Sequence, residues 1–212
     1  MRLDEFLTRF RDLPVIDAKN LLAGVANPAP VKVQLSRWCK KGRMTKLKNN
    51  IYLLAENLRK TDIYEPYIAY ALKNPSYISL EKAFEYHGLI PEAVAVYTSV
   101  TTKRPGKIIT SIGTFDYRHI KNSLFWGYRS VTVNKQQAFI AAAEKALLDF
   151  VYLRGLRIDD DYLDEMRLQN LKKIDLKRLM AFAERFENRG VLKAAVVVKK
   201  YAARHKKNQR AL

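Results

Sequence analysis

A single cysteine, Cys39, occurs in 212 residues, which excludes an internal disulfide framework and leaves no cysteine cluster for zinc. That usage suits a reducing compartment. Long apolar runs are missing as well: none approaches the roughly 20 residues that a membrane-spanning helix needs. The opening MRLDEFLTRF carries acids where a secretory leader would be apolar, so a cytoplasmic protein with no membrane partner is expected. Glycine (8) and proline (7) are too sparse for a low-complexity chain. No GxxxxGK[ST], GxGxxG or GxSxG stretch appears, which leaves nucleotide binding and acyl transfer without support. Acidic residues are scarce where it matters most: positions 189 to 212 hold none.

What remains is positive charge, +18 in all. Residues 1 to 60 carry about 13 basic against 5 acidic side chains and residues 189 to 212 about 8 against none, while the middle is nearly balanced. Excess cation at both ends attracts a polyanion, and nucleic acid is the commonest one in a cytosol. A surface tuned for solubility is the competing explanation.

The first 58 residues read as a small module. Leu3, Phe6, Leu7 and Phe10 sit at helical spacing ahead of Pro14. Asp17 is placed to cap a short second helix that closes at Gly24. The turn NPAP (27–30) leads into a third helix with Val31, Leu35, Trp38 and Cys39 on one stripe. Its other arc presents Lys32, Val33, Gln34, Ser36, Arg37, Lys40 and Lys41. Gly42 ends the helix, Arg43 follows, and Met44–Leu47 and Ile51–Leu54 read as strands joined through Lys48, Asn49 and Asn50. Asn50 tolerates the positive φ that such a turn demands.

Helix, helix, turn, helix, then a basic-tipped hairpin is the order of parts in a winged helix-turn-helix. On that reading Arg37 pairs with guanine, Gln34 with adenine and Val33 with a thymine methyl, with Ser36 among the base-reading positions. Lys32, Lys40, Lys41, Arg43, Lys46, Lys48 and Asn49 then track phosphates. A surface helix and hairpin in another α+β fold is the alternative.

Residues 59 to 212 change character. Tyr64–Leu72 and Ser79–His87 read as helices, followed by β-rich runs VAVYTSVTT, KIITSIG, TFDYRHI, LFWGYRSVTV and QQAFIA. The pattern predicts an α+β chain: a winged helix-turn-helix module, 1–58, then a larger α/β domain, 59–212, with a mostly antiparallel sheet of four or five strands and a helical C-terminal tail. Ala143, Ala146, Leu147, Phe150 and Val151 line one side of a further helix. The tail places Val191, Ala194, Ala195, Val198 and Ala202 on a docking stripe.

Candidate chemistry is thin. His87 and His119 have no partners at metal-ligand spacing and read as structural hydrogen-bonding groups. Glu81, Glu144 and Asp149 either include two that converge on an acid/base site or are helix-surface acids pairing with Lys82, Lys145 or a strand arginine, the second being favoured. Lys103 and Arg104, with Thr101 and Thr102, end a strand and either bind a phosphate or an acidic partner or guard a sheet edge. Lys199, Lys200, Arg204, Lys206 and Lys207 offer a second DNA contact or a solvated terminus. No catalytic residue, metal or cofactor is assigned.

The segments YISLEKAFEYHGLIPE, YTSVTTKRP, GTFDYRHI, LFWGY and AEKALLDFVYL, in that order between residues 77 and 153, resemble the signature of the AbiEi family, antitoxins of abortive-infection type IV toxin–antitoxin systems. LSRWCKKGRMTKLKNNIYLL is similar to that family's N-terminal winged helix, and the likeness covers about residues 5 to 155. Asn50 stands where the family usually has glycine, and Ala143 where a proline often precedes the EKALLD helix. The resemblance implies an autorepressor that binds inverted repeats in its own promoter and counteracts a nucleotidyltransferase toxin, without a stable complex being required. A toxin-binding protein lacking specific DNA recognition, and a nucleic-acid-processing enzyme, are the competing classes.

Overall fold

The computed structural model describes residues 2–155 and 157–208, with the side chains of 206–208 left out. The chain is α+β and separates into two compact units. The first comprises Met1–Asn74 with Thr110–Ile112 and Val131–Ala138, and the second Pro75–Ile109, Gly113–Ser130 and Phe139–Leu212. Among the described residues no helix is long and apolar enough to cross a membrane.

In the first unit α1 (Leu3–Phe10) turns its stripe inward, so that Phe6 is fully buried and its ring lies 4.7 Å from Phe10 and 4.8 Å from Trp38. Asp17 caps α2 (Ala18–Leu22) by accepting from the Lys19 N–H at 2.8 Å, satisfying one of the donors a helix start leaves free. Asn27 Oδ1 accepts from the Ala29 N–H ahead of α3 (Ala29–Lys40), whose first turn contains Pro30. Leu35 and Trp38 bury completely, Val31 and Cys39 in part.

Gly42, at φ 68°, lets the chain leave α3 sharply: its N–H donates to Cys39 O, and the Arg43 N–H to Trp38 O at 2.9 Å. Strands β2 (Met44–Lys48) and β3 (Ile51–Leu54) follow. They form a sheet with β1 (Val15–Asp17) in the order β1-β3-β2, β1 running antiparallel to β3 with Val15 opposite Leu53. Three residues beside Pro14 are too short for a readable alternation, which is why β1 carries no signal in the sequence.

α4 (Glu65–Leu72) closes the continuous part of this unit. The buried Gln136 clasps the connector before it, donating to Asp62 O at 2.8 Å and accepting from the Tyr64 N–H at 3.1 Å.

The second sheet has the order β6-β7-β5-β4-β9-β8, from β4 (Ser76–Ile78), β5 (Val96–Thr101), β6 (Gly106–Thr110), β7 (Gly113–His119), β8 (Tyr128–Val133) and β9 (Gln136–Ala141). It is mixed, where the strand-and-turn pattern predicts mainly antiparallel pairing. β4 is antiparallel to β5, whereas β5 and β7, and β4 and β9, are parallel. The chain passes through β6 before returning alongside β5 in the same direction, a crossover that local periodicity does not reveal.

Helix α5 (Leu80–His87) ends at Gly88, as its sequence predicts. α6 (Ala143–Arg154) departs from the one-sided stripe: every residue from Ala143 to Val151 is buried, Glu144, Lys145 and Asp149 included. A helix covered all round lies inside a domain. Contacts with α5, α8 (Leu176–Arg185) and α9 (Arg189–Asn208) account for it. α7 (Asp160–Glu165) lies between α6 and α8 in the chain. Val191, Ala194, Ala195, Val198 and Ala202 of α9 are all buried, in line with the docking stripe.

Candidate nucleic-acid interface

With 100° between successive residues, Trp38, Val31, Leu35 and Cys39 hold α3 to the core and the opposite arc of about 180° is left outward. That arc holds Lys32, Val33, Ser36, Arg37, Lys40 and Lys41, all exposed. Gln34 sits at its border, half-buried. Val33 is 50% exposed, an apolar side chain held in water among cations. Among the described residues no acidic side chain forms a salt bridge with Lys32, Arg37, Lys40, Lys41 or Lys46.

The hairpin adds to this surface through a register irregularity. Lys46 faces Tyr52 and Lys48 faces Ile51, so Leu47 is the extra residue of a bulge. Thr45 and Lys46 are therefore exposed together, Leu47 is buried and Lys48 comes out again. Strict alternation would have buried Lys46 or Thr45, and sequence reasoning overlooked Thr45 because a bulge breaks the period of two. Asn49 is exposed at the tip, and Asn50 adopts φ 66°, the left-handed conformation its type tolerates. Arg43 is half-buried, and its carbonyl accepts from the Ala55 N–H at 3.0 Å.

Lys48 differs from the free phosphate-tracking cation expected at the hairpin. Its Nζ donates to the carbonyl of Leu72 at 2.8 Å, the last residue of α4, so one of its three donors is committed inside the unit. A cation at the C-terminal end of a helix also meets the negative pole of the peptide dipoles. Cys39 is a free thiol whose pKa burial raises, which suits a packing role on α3.

The candidates of the second unit are dispersed. Lys103 and Arg104 are exposed in the loop after β5, and the Lys103 carbonyl lies 3.2 Å from His119 Nδ1. β5 lies between β7 and β4, so these residues guard no sheet edge. The Thr101 hydroxyl is turned inward, donating to Pro75 O. Lys199, Lys200 and Arg204 are all exposed on α9, and Arg204 pairs with Asp160 at 2.5 Å. The side chains of Lys206 and Lys207 lie outside the described residues.

Glu81, Glu144 and Asp149 do not converge on an acid/base pair; each has its own cation. Glu81 takes Arg154. Glu144, fully buried, is held by Arg178 through Nε and a terminal nitrogen, both at 3.0 Å, and accepts from the Asp175 N–H at 2.7 Å. Asp149 pairs with Lys145, and accepts from Tyr77 Oη at 2.9 Å and Ser79 Oγ at 2.8 Å. Two of the three are thus interior groups, not the surface acids expected.

Burial pushes the Lys145 pKa down and the Asp149 pKa up, each opposed by the other's charge. Gly127, at φ 77°, leaves room for the Lys145 stem: a Cβ there would stand 3.0 Å from Cγ. His87 lies beside this region with Nε2 2.8 Å from Ala141 O. Among the described residues no group of histidine, cysteine, aspartate and glutamate could hold a metal ion.

No protein-family model matches the chain, and no curated protein matches it.

Proposed function

We propose that this chain is a sequence-specific DNA-binding autorepressor whose first unit acts as a winged helix-turn-helix. The observation that carries the reading is the outward face of α3: Lys32, Ser36, Arg37, Lys40 and Lys41 around the exposed Val33, continued by Lys46 on the bulged hairpin, with no acid paired to any of these cations among the described residues. Such a face suits the major groove. Arg37 reads guanine through two donors, Val33 touches a thymine methyl, and Gln34 and Ser36 contribute at the border. Lys32, Lys40, Lys41 and Lys46 sit on phosphates, with Arg43, Asn49 and the remaining donors of Lys48 in support. Lys103, Arg104, Lys199 and Lys200 are candidates for a further phosphate or partner contact.

The ordered motifs between residues 77 and 153 support the rest of the proposal, that the second unit is the antitoxin part of a type IV, AbiEi-like abortive-infection system. Its counterpart is a nucleotidyltransferase toxin, and both act in the cytoplasm in defence against phage. The separately paired Glu81, Glu144 and Asp149 favour a binding protein over an enzyme.

The test is fluorescence anisotropy of the full chain with duplex from its own promoter and with shuffled duplex, across a salt series. A steep salt dependence together with tighter binding to the promoter duplex is the expected result. Equal affinity for both duplexes at every salt concentration would overturn the repressor reading. For the antitoxin part, co-expression with a nucleotidyltransferase from a neighbouring reading frame should restore growth, and persistent toxicity would overturn it.

A further inference from the structure

The second unit contains a cleft of about 590 Å³ that the DNA reading does not use. Its floor is apolar, built from Leu80 and Phe84 of α5, Val94, Val96 of β5, Phe150 of α6 and Met166. The volume falls within the range of small-molecule sites, and apolar lining with a few placed polar groups is their usual character.

The charges at its rim cancel in pairs. Arg118 holds one oxygen of Asp116 through Nε at 2.9 Å and a terminal nitrogen at 2.8 Å, Arg154 holds Glu81, and Glu92 is held by Arg167 at 2.8 Å. Lys107 and Glu165, one of each sign, complete the charged lining. A net-charged ligand would find no excess of opposite charge here, and bringing it onto the apolar floor would cost its hydration.

We infer that this cleft binds a small, uncharged, mainly apolar molecule. The inference is independent of DNA binding, since every lining residue belongs to the second unit.

N-phenyl-1-naphthylamine is a suitable probe: neutral, apolar and more fluorescent in apolar surroundings. Titrated into the full chain, it should give a saturable rise at one site per chain, with its sulfonated anionic analogue binding at least tenfold more weakly. Ala93 is exposed on the cleft, so Ala93→Trp places an indole over the opening without disturbing the core. It should weaken the dye at least tenfold while leaving the circular dichroism spectrum and promoter affinity unchanged. Val96→Trp, filling the cleft from β5, should do the same. Absence of saturable binding to the unaltered chain, equal affinity for the anionic analogue, or full binding in both variants would each overturn the inference. So would a dimer in sedimentation that competes with the dye and dissociates in Ala93→Trp, because a second copy would then be the occupant.

Discussion

Lys48 Nζ donates to the carbonyl oxygen of Leu72 at 2.8 Å, joining the end of β2 to the end of α4. The neighbouring Lys46, two residues away across a bulge, is exposed and forms no salt bridge among the described residues. The two lysines therefore have different duties. Lys46→Ala should flatten the slope of log affinity against log salt by about one. Lys48→Ala should leave most of that slope in place and instead destabilise the fold by about 1 kcal/mol through the lost bond. Salt titrations and urea melts of both variants check this, and reversed behaviour would contradict the assignment.

Arg37 lies on the outward arc of α3, one turn after Val33, and is exposed. Its planar fork suits the two acceptors of a guanine edge, so Arg37→Ala should cost about 1–3 kcal/mol of binding and relax preference at a single base pair. Arg37→Lys should restore part of the non-specific affinity but not the preference, because an ammonium is a point charge without the fork. A selection over randomised promoter positions reads this directly. An unchanged base preference in Arg37→Ala would remove α3 from the role of reader.

Within the candidate site, the outward arc of α3, its stop at Gly42 and the turn at Asn50 were all legible, because helical spacing and left-handed φ preferences act locally. The bulge at Leu47 and the Lys48–Leu72 bond were not: both depend on partners that only the folded chain supplies. In the second unit the strand runs were readable, yet the parallel pairing of β5 with β7 was hidden, since pairing partners far apart in sequence leave no periodic trace. The charges on α6 misled for a related reason. Glu144 and Asp149 look like surface acids until Arg178, Tyr77 and Ser79 arrive from other elements to pair with them.

Lys145 and Asp149 form an ion pair with no solvent exposure on either side. Removing one partner leaves an uncompensated buried charge, so Lys145→Met or Asp149→Leu should each destabilise the second unit by about 3–5 kcal/mol. The double variant Lys145→Met with Asp149→Leu should lose less than the two single losses added together, as each charge disappears with its partner. Denaturant unfolding of the three variants gives the comparison, and simple additivity would show that the pair is not coupled.

His87 offers a test of acid sensitivity. Its Nε2 lies 2.8 Å from Ala141 O, and a carbonyl can only accept, so Nε2 carries the proton and Nδ1 is the titrating atom. Burial pushes the ring pKa down, with the cations of Arg129 and Lys173 acting in the same direction and the Ala141 bond and Glu144 opposing. The folded pKa therefore lies below the unfolded value of about 6.5, and below that pH the unfolded chain binds the extra proton first. Stability contributed by neutral His87 is full above about pH 6.5 and declines as the pH falls through and below it, levelling once the folded ring also protonates. His87→Gln keeps a donor for Ala141 O but cannot titrate. Its unfolding free energy should therefore fall less than that of the parent chain between about pH 7 and pH 5, measured by urea melts. A parallel decline in both proteins would locate the acid sensitivity elsewhere.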